Sequence, residues 1–302
     1  MLFGKKAAPE PTRQTFVVGG IAVNVYAQPQ PKATRAAADA PVAVMFLLHG
    51  RNGSALKMEE FVWGIFEEVH ALRRKDGEAR ELYIVTFDQR NHGKRMVDKK
   101  ANQGWFDDPE QNNDRHAIDM YAIQTGTAQD VSYLIDFLPS YLFPNGERQI
   151  SQFLCVGKSL GGHATWIVLR NEPRIQVAVP IIACPDYLAL MTRRAKSHKL
   201  PVGPPYFPQS LLDLIRRADP AAAPYTAADA SNPFLGKKIL VLAGADDKKV
   251  PWETAARPFV EGLNVGPGGV KEVVVERGVG HEFSPAMMKE CARFVWKHAL
   301  GA

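Results

Sequence analysis

The chain has 302 residues, of which 46% are hydrophobic, 23% charged and 9% aromatic. Its length fits two domains or one large α/β domain, and its composition excludes intrinsic disorder, collagen and coiled coil. The 37 Lys and Arg residues exceed the 32 Asp and Glu residues, but the charges are scattered, so no nucleic-acid partner is predicted.

The cysteines and the N-terminal stretch indicate in which cellular compartment the protein is expected. Cys155, Cys184 and Cys291 are odd in number and widely spaced, which argues against a disulfide framework and offers no C-x-x-C pair. The N-terminal stretch lacks the apolar run of a signal peptide, and no apolar segment approaches the roughly 20 residues that span a bilayer. We therefore expect a soluble, cytoplasmic protein without a membrane span, and a transit sequence remains an alternative.

The predicted elements alternate along the chain. A β-hairpin is predicted over 15–26 around Gly19 and Gly20, followed by an exposed loop over 28–41. Short apolar runs then alternate with helical segments. The predicted strands are 42–48, 82–87, 152–156, 176–182, 239–243 and 270–276, and the predicted helices are 54–74, 117–138, 160–171, 252–263 and 285–300. This alternation predicts the α/β class, with a mostly parallel central sheet flanked by helices.

The segment 184–233 breaks the alternation. It contains eight prolines, a basic stretch over 193–199 and one predicted short helix over 210–217. Such a segment is too long for a plain connection, so we predict an inserted cap or lid over one edge of the sheet, with a mobile surface excursion as the alternative. The core would then comprise 1–183 and 234–302.

The strongest local signal is the sequence Gly157-Lys158-Ser159-Leu160-Gly161, which lies between a predicted strand and a predicted helix. A serine between two glycines at such a junction is typical of a sharp turn that lifts the hydroxyl above the sheet. The helix N-terminus also favours negative charge there. The pattern predicts Ser159 as a nucleophile, and a simple glycine-rich turn is the alternative.

A serine hydroxyl is a poor nucleophile until a base removes its proton, so an acid and a histidine are expected after Ser159. Asp246 and Asp247 follow the predicted strand 239–243, and His281 follows the predicted strand 270–276. Each lies just beyond the carboxyl end of a strand, where open α/β sheets place their sites.

These residues belong to four motifs through which the chain resembles the α/β-hydrolase superfamily over residues 15–300. The motifs are His49-Gly50, Asp88-x-Arg90-x-His92-Gly93, the G-x-S-x-G elbow, and a G-x-x-D-x-x-V-P turn at 244–251 paired with Gly280-His281.

The resemblance implies roles for the candidate residues. Ser159 would be the nucleophile, His281 the general base and then the general acid, and Asp247 the residue that orients the imidazole. Two other acids stay open: Asp246 shifts the pattern by one residue, and Asp186 occupies a position that some related enzymes use instead.

An oxyanion formed on attack needs two positioned donors. We expect the backbone N–H groups of Leu160 and Arg51 to supply this oxyanion hole. The Arg51 side chain would either attract an anionic substrate or lie in solvent.

The remaining histidines and aromatics are expected to be mostly structural. His49 would brace the oxyanion loop, His92 would help to shape the loop beside the site, and His163 would serve packing. No ligand spacing such as H-x-x-x-H occurs, so neither a metal nor a cofactor is predicted. Several aromatic residues would line an apolar acyl pocket or belong to the core: Trp105, Phe106, Tyr187, Tyr206 and Phe207.

The predicted function is that of a serine hydrolase, which cleaves a small-molecule carboxylic ester through an acyl-enzyme on Ser159. A peptidase or amidase and a thioesterase are the enzymatic alternatives. A lyase or cofactor-free oxygenase on the same triad and a non-catalytic binding protein on the same fold are more distant ones.

Overall fold

The computed structural model describes residues 10–28, 41–76 and 80–301. Within them the strands are β1 Thr12–Val18, β2 Ile21–Ala27, β3 Val42–Leu48, β4 Glu81–Phe87, β5 Ile150–Lys158, β6 Ile175–Ile181, β7 Lys238–Gly244 and β8 Val270–Glu276. The α-helices are α1 Glu59–Asp76, α2 His116–Leu142, α3 Leu160–Asn171, α4 Tyr187–Ser197, α5 Gln209–Ala218, α6 Arg257–Gly262 and α7 Pro285–Val295.

The strands form one open sheet in the order β1-β2-β4-β3-β5-β6-β7-β8. The pairs β1/β2 and β2/β4 are antiparallel, whereas every pair from β4 to β8 is parallel. The direction of winding reverses between β3 and β5, and the crevice at such a reversal is where open α/β sheets bind ligands. The mostly parallel sheet confirms the predicted fold class.

Each face of the sheet carries its own apolar core. Every residue of β3 is buried; its even-numbered side chains pack with α2, α3 and α6, and its odd-numbered ones pack with α1 and α7. This alternation follows from the pleat of a strand that is covered on both faces, and it explains why the run reads as continuously apolar.

Helix α4 differs from the sequence-based expectation, which placed a basic stretch and only one short helix in segment 184–233. Asp186 caps α4, because its Oδ1 accepts a hydrogen bond from the Ala189 N–H at 2.8 Å. Leu190, Met191 and Ala195 give α4 a buried apolar face at helical spacing. The predicted helix 210–217 is present as α5.

Short irregular turns adjoin several helices. The predicted helices 252–263 and 285–300 each include a π-helical turn, at Trp252–Ala256 and Trp296–Leu300. Four 3₁₀ turns are also present: Leu56–Met58, Gly93–Arg95, Lys100–Asn102 and Pro220–Ala222.

The predicted loop after the hairpin and the question of a membrane span complete the comparison with the sequence. Most of the exposed loop predicted over 28–41 lies outside the described residues. Across the described ranges, no helix combines the length and apolar character required to cross a bilayer.

Candidate active site

Ser159 lies in the turn between β5 and α3 with φ of 54° and ψ of −111°, a left-handed conformation that a non-glycine residue seldom adopts. The flanking glycines make this turn possible. A Cβ on Gly157 would lie 2.2 Å from the Gly161 carbonyl oxygen, and a Cβ on Gly161 would lie 2.5 Å from the Leu48 carbonyl oxygen. The strained serine and the close backbone contacts match the sharp turn that the G-x-S-x-G pattern predicts.

The structure places Ser159, His281 and Asp247 in one hydrogen-bonded line. Ser159 Oγ is 2.7 Å from His281 Nε2, and His281 Nδ1 is 2.7 Å from Asp247 Oδ2. Because the Nδ1–H donates to the carboxylate, Nε2 is left as the atom that can accept the serine proton.

Asp247 is held by its own loop as well as by the histidine. The backbone N–H groups of Lys249 and Val250 donate to Asp247 Oδ1 at 2.8 and 2.9 Å, so Oδ2 faces His281. Burial alone would raise the pKa of Asp247, but the hydrogen bonds from His281, Val250 and Lys249 outweigh it and hold the pKa below its ordinary value. Asp247 is therefore a carboxylate at neutral pH.

The loops that carry Asp247 and His281 are in backbone contact. The N–H of Ala245 donates to the Glu276 carbonyl at 2.8 Å, and the N–H of Asp246 donates to the Val279 carbonyl at 2.9 Å. A Cβ on Gly244 would lie 2.3 Å from the Gly280 carbonyl oxygen, so only glycine permits this approach.

The two alternative acids lie elsewhere. The Asp246 side chain is exposed, and Asp186 caps helix α4. Of the three acids considered from the sequence, Asp247 is the one whose side chain reaches His281.

The two expected oxyanion donors border the same cavity as Ser159. This cavity has a volume of 770 Å³ and is lined by Arg51, Leu160 and His281 among others. Neither the Arg51 N–H nor the Leu160 N–H has a protein acceptor among the described residues. Both backbone groups are thus available to a ligand oxygen.

His49 connects the loop after β3 with the serine turn. Its Nδ1 donates to the Gly50 carbonyl at 2.8 Å, its Nε2 accepts from the Gln89 N–H at 3.0 Å, and its carbonyl accepts from the Gly161 N–H at 3.0 Å. Burial lowers the pKa of His49 to about 4, so the ring is neutral and keeps this pattern. These contacts agree with the bracing role expected for it.

Two further histidines lie close to the site. His163 lines the cavity, with its Nδ1 2.9 Å from the Cys184 carbonyl oxygen, and burial lowers its pKa to about 3. His92 bonds through Nδ1 to the Arg90 carbonyl at 2.9 Å, and burial lowers its pKa as well. Both rings are therefore uncharged at neutral pH.

The expected aromatic lining is present in part. Trp105 and Phe106 line the cavity. Tyr187, Tyr206 and Phe207 pack with Trp105 in a cluster that joins α2, α4 and α5. These three do not border the cavity and belong to the core, which was the alternative considered from the sequence.

A feature that the sequence did not reveal is the charge of the cavity wall. Three arginines and four lysines line it, and Glu60 is the one carboxylate among the described lining residues. The basic stretch 193–199 was visible in the sequence as a run of charge, but only the formation of helix α4 places some of its side chains in the cavity wall. Within the described ranges, no group of three His, Cys, Asp or Glu side chains is arranged to hold a metal ion.

The structure is similar to several solved proteins over nearly its whole length. It matches TT1662 from Thermus thermophilus at 21% identity and a TM-score of 0.66, over 96% of this chain and 99% of that one. It matches an S-formylglutathione hydrolase from Agrobacterium tumefaciens at 16% identity and a TM-score of 0.56, over 96% of both chains. With the sheet order above, these matches decide the fold.

The chain has the α/β-hydrolase fold. The resemblance drawn from the four motifs is thereby confirmed at the level of the fold. An acylaminoacyl peptidase from Pyrococcus horikoshii also matches, at 14% identity and a TM-score of 0.55, over 97% of this chain. The chain spans 41% of that peptidase. No protein-family model matches the sequence, and a search of curated proteins found no match either.

The α/β-hydrolase fold accounts for the position of the site. Arg51 follows β3 and Ser159 follows β5, on the two sides of the reversal in the sheet, while Asp247 and His281 follow β7 and β8. Because the carboxyl ends of parallel strands meet at one edge, residues far apart in sequence converge there.

Proposed function

We propose that the protein is a serine hydrolase that cleaves small-molecule carboxylic esters through an acyl-enzyme on Ser159. The observation that carries the proposal is the hydrogen-bonded line from Ser159 through His281 to Asp247, which opens onto a cavity. The similarity to an esterase from Pyrococcus furiosus, at 16% identity and a TM-score of 0.52, supports it at the level of the fold.

The proposed reaction begins with transfer of the Ser159 hydroxyl proton to His281 Nε2 as Oγ attacks the ester carbonyl. The carbonyl oxygen becomes an oxyanion, which the backbone N–H groups of Arg51 and Leu160 stabilise. His281 then gives its proton to the departing alcohol, and an acyl-enzyme remains. Water attacks this acyl group with His281 again as base, which releases the carboxylic acid and restores Ser159.

Asp247 contributes by position and charge. Its Oδ2 accepts the hydrogen bond from His281 Nδ1, which fixes the ring tautomer and stabilises the imidazolium that forms during attack. The low pKa of Asp247 keeps this charge in place during turnover.

We also propose that segment 184–233 is a cap on this cavity. Its helix α4 supplies Arg193, Arg194 and Ser197 to the cavity wall. Helices α4 and α5 pack against the beginning of α2 and against Leu160, next to the proposed nucleophile.

The test is a ladder of nitrophenyl esters from acetate to long acyl chains, run with the wild type and with Ser159→Ala. We expect Ser159→Ala to lower kcat by about 10³-fold or more with the fold intact, because the three residues act as a unit. Ser210→Ala, at an exposed position of α5, is the matched control and should retain wild-type rates.

Two outcomes would contradict the proposal. Full activity in folded Ser159→Ala would exclude this serine as the nucleophile. Turnover of nitroanilide amides by Ser159 at rates above those of the esters would replace the esterase assignment with an amidase or peptidase.

A further inference from the structure

The cavity wall carries positive charge that the protein itself leaves unpaired. None of its three arginines and four lysines forms an ion pair within the described residues. Elsewhere in those residues nine arginines are ion-paired with Asp or Glu. With Glu60 as the one carboxylate among the described lining residues, the wall carries a net positive charge where a ligand would bind.

Two of these arginines reach the cavity from separate elements. Arg51 follows β3, and its Nη1 lies 3.9 Å from the position that a Cβ atom on Gly104 would occupy. Arg194 lies on α4, and its guanidinium donates to the Lys249 carbonyl at 3.3 Å and to Met191 Sδ at 3.7 Å. Neither guanidinium has a carboxylate partner among the described residues.

The electrostatics of the pair are unfavourable without a ligand. Burial lowers the pKa of Arg51, and it lowers the pKa of Arg194, where the nearby charge of Arg51 adds to the effect. Both side chains nevertheless stay protonated at neutral pH. An anion between them would relieve both the repulsion and the loss of hydration.

His116, the first residue of α2, also lies in the cavity wall. It is 2% exposed, and its Nδ1 has no hydrogen-bond partner among the described residues. Its ring meets Trp105 edge-on with a centroid distance of 5.1 Å. His116 thus borders the cavity through a ring that is packed against Trp105 and closed to solvent at Nδ1.

The charges of both arginines also act on the His116 ring. Burial, together with the charges of Arg194 and Arg51, lowers the pKa of His116 to about 3. The imidazole is therefore neutral, and the positive charge of this part of the cavity comes from the arginines.

We propose that Arg51 and Arg194 bind an anionic oxygen group of the substrate, a carboxylate or a phosphate, so that the ester hydrolysed at Ser159 is itself negatively charged. The planar guanidinium matches the paired oxygens of both groups. This inference rests on the proposed function, since it names the class of ester that the same cavity takes.

The experiment compares matched esters that differ in charge. Para-acetoxybenzoate and para-acetoxybenzamide place the charge on the alcohol side, while the mono-nitrophenyl ester of adipate and its adipamide counterpart place it on the acyl side. We expect kcat/KM for at least one anionic ester to exceed that of its neutral partner by about tenfold or more. This preference should weaken as NaCl is raised.

Substitutions assign the preference to the arginines. Arg194→Gln and Arg51→Gln should each reduce the anionic-to-neutral ratio by about tenfold, mainly through KM, because one charge-assisted contact is lost. Arg74→Gln is the matched control: Arg74 is exposed on α1, outside the cavity, and its removal should leave the ratio unchanged. Using two arginine variants keeps the test valid if one of them fails to fold.

The outcomes separate this inference from the proposed function. Serine-dependent hydrolysis of the neutral esters, with anionic ratios at or below one, would overturn the inference alone. An anionic preference that neither arginine variant reduces would also overturn it. Absence of serine-dependent turnover on every ester would overturn the proposed function. In that case calorimetry would measure binding of para-hydroxybenzoate and inorganic phosphate, with para-hydroxybenzamide as the neutral control. Binding of the anions that Arg194→Gln weakens would support the anion site, and no such binding would reject it.

Discussion

At the scale of single residues, the two oxygens of Asp247 have separate partners. Oδ1 accepts from two backbone N–H groups of its own loop, and Oδ2 accepts from His281. An amide at this position would keep one acceptor oxygen but would present an NH₂ group at the other position. The histidine would then be held in the wrong tautomer or released.

Asp247→Asn is therefore expected to lower kcat by about 10³- to 10⁴-fold while the protein stays folded. The measurement is steady-state hydrolysis of a nitrophenyl ester, with circular dichroism to check the fold.

The other two candidate acids supply matched controls. Asp246→Asn removes an exposed charge next to Asp247, and Asp186→Asn keeps a side chain that caps α4. Both variants should stay within about threefold of the wild-type rate, since neither side chain touches His281. A greater loss in either control than in Asp247→Asn would reassign the acid.

Sequence reasoning predicted Ser159, Asp247 and His281 as candidates because each lies in a local pattern of glycines beside a strand, and the structure brings these three side chains together. It left three acids open, because an aspartate one residue earlier, or one that follows a different strand, fits the same local pattern. The presence of Arg51, Arg194 and His116 in the wall of one cavity was beyond its reach, because these residues come from three separate elements that converge only on folding.

At the scale of elements, the turn between β5 and α3 depends on close backbone packing. Gly161 belongs to the first turn of α3, where its missing side chain lets the helix approach β3. A methyl group there would lie 2.5 Å from the Leu48 carbonyl oxygen, which is backbone and cannot rotate away.

Gly161→Ala is expected to destabilise the protein by about 1 to 3 kcal/mol, because α3 must move away from the sheet. Urea unfolding at neutral pH measures this change. Gly203→Ala is the matched control, because nothing lies within 4 Å of a Cβ there and the change should stay within about 0.5 kcal/mol. Equal stabilities of the two variants would show that the turn tolerates the displacement.

The elements were largely predictable where periodicity is clear. The parallel strands appear as apolar runs because both faces of the sheet are covered. Helix α4 was missed because its sequence carries a basic run in a proline-rich segment, while its stability comes from the Asp186 cap and from packing against α2 and α5. Tertiary contacts of this kind override local composition.

At the scale of the whole molecule, acid sensitivity is expected where buried carboxylates are paired. Glu172, at the end of α3, accepts hydrogen bonds from Arg174 Nε at 2.7 Å and Nη2 at 2.8 Å. Arg174 also pairs with Asp136 on α2, so this cluster joins two helices. Burial alone would raise the pKa of Glu172, but the bonds from Arg174 and Ser132 outweigh it and lower the pKa to about 2.

Because the folded pKa of Glu172 is below its unfolded value, its contribution to stability is complete above about pH 4.5 and is lost as the pH falls toward about 2. Glu172→Gln should therefore lower the free energy of unfolding at pH 7 by roughly 1 to 2 kcal/mol, a moderate effect because the Arg174 guanidinium is partly exposed. The deficit should shrink as the solution is acidified. Urea unfolding across this range measures it, with exposed Glu110→Gln as the control; a deficit that is constant with pH would contradict the assignment.

Gly244 lies so close to the Gly280 carbonyl that the loops of Asp247 and His281 pack directly against each other. Hydrogen bonds between the same two loops tie Asp247 and His281 to the ends of the paired strands β7 and β8. Helix α4 is in turn bonded to the Asp247 loop, because Arg194 donates to the carbonyl of Lys249 and the N–H of Lys249 donates to Asp247 Oδ1. Displacement of α4 would therefore change access to the cavity and would also reach the loop that holds Asp247. Access to the cavity and the alignment of Asp247 with His281 are thus coupled through the backbone of Lys249.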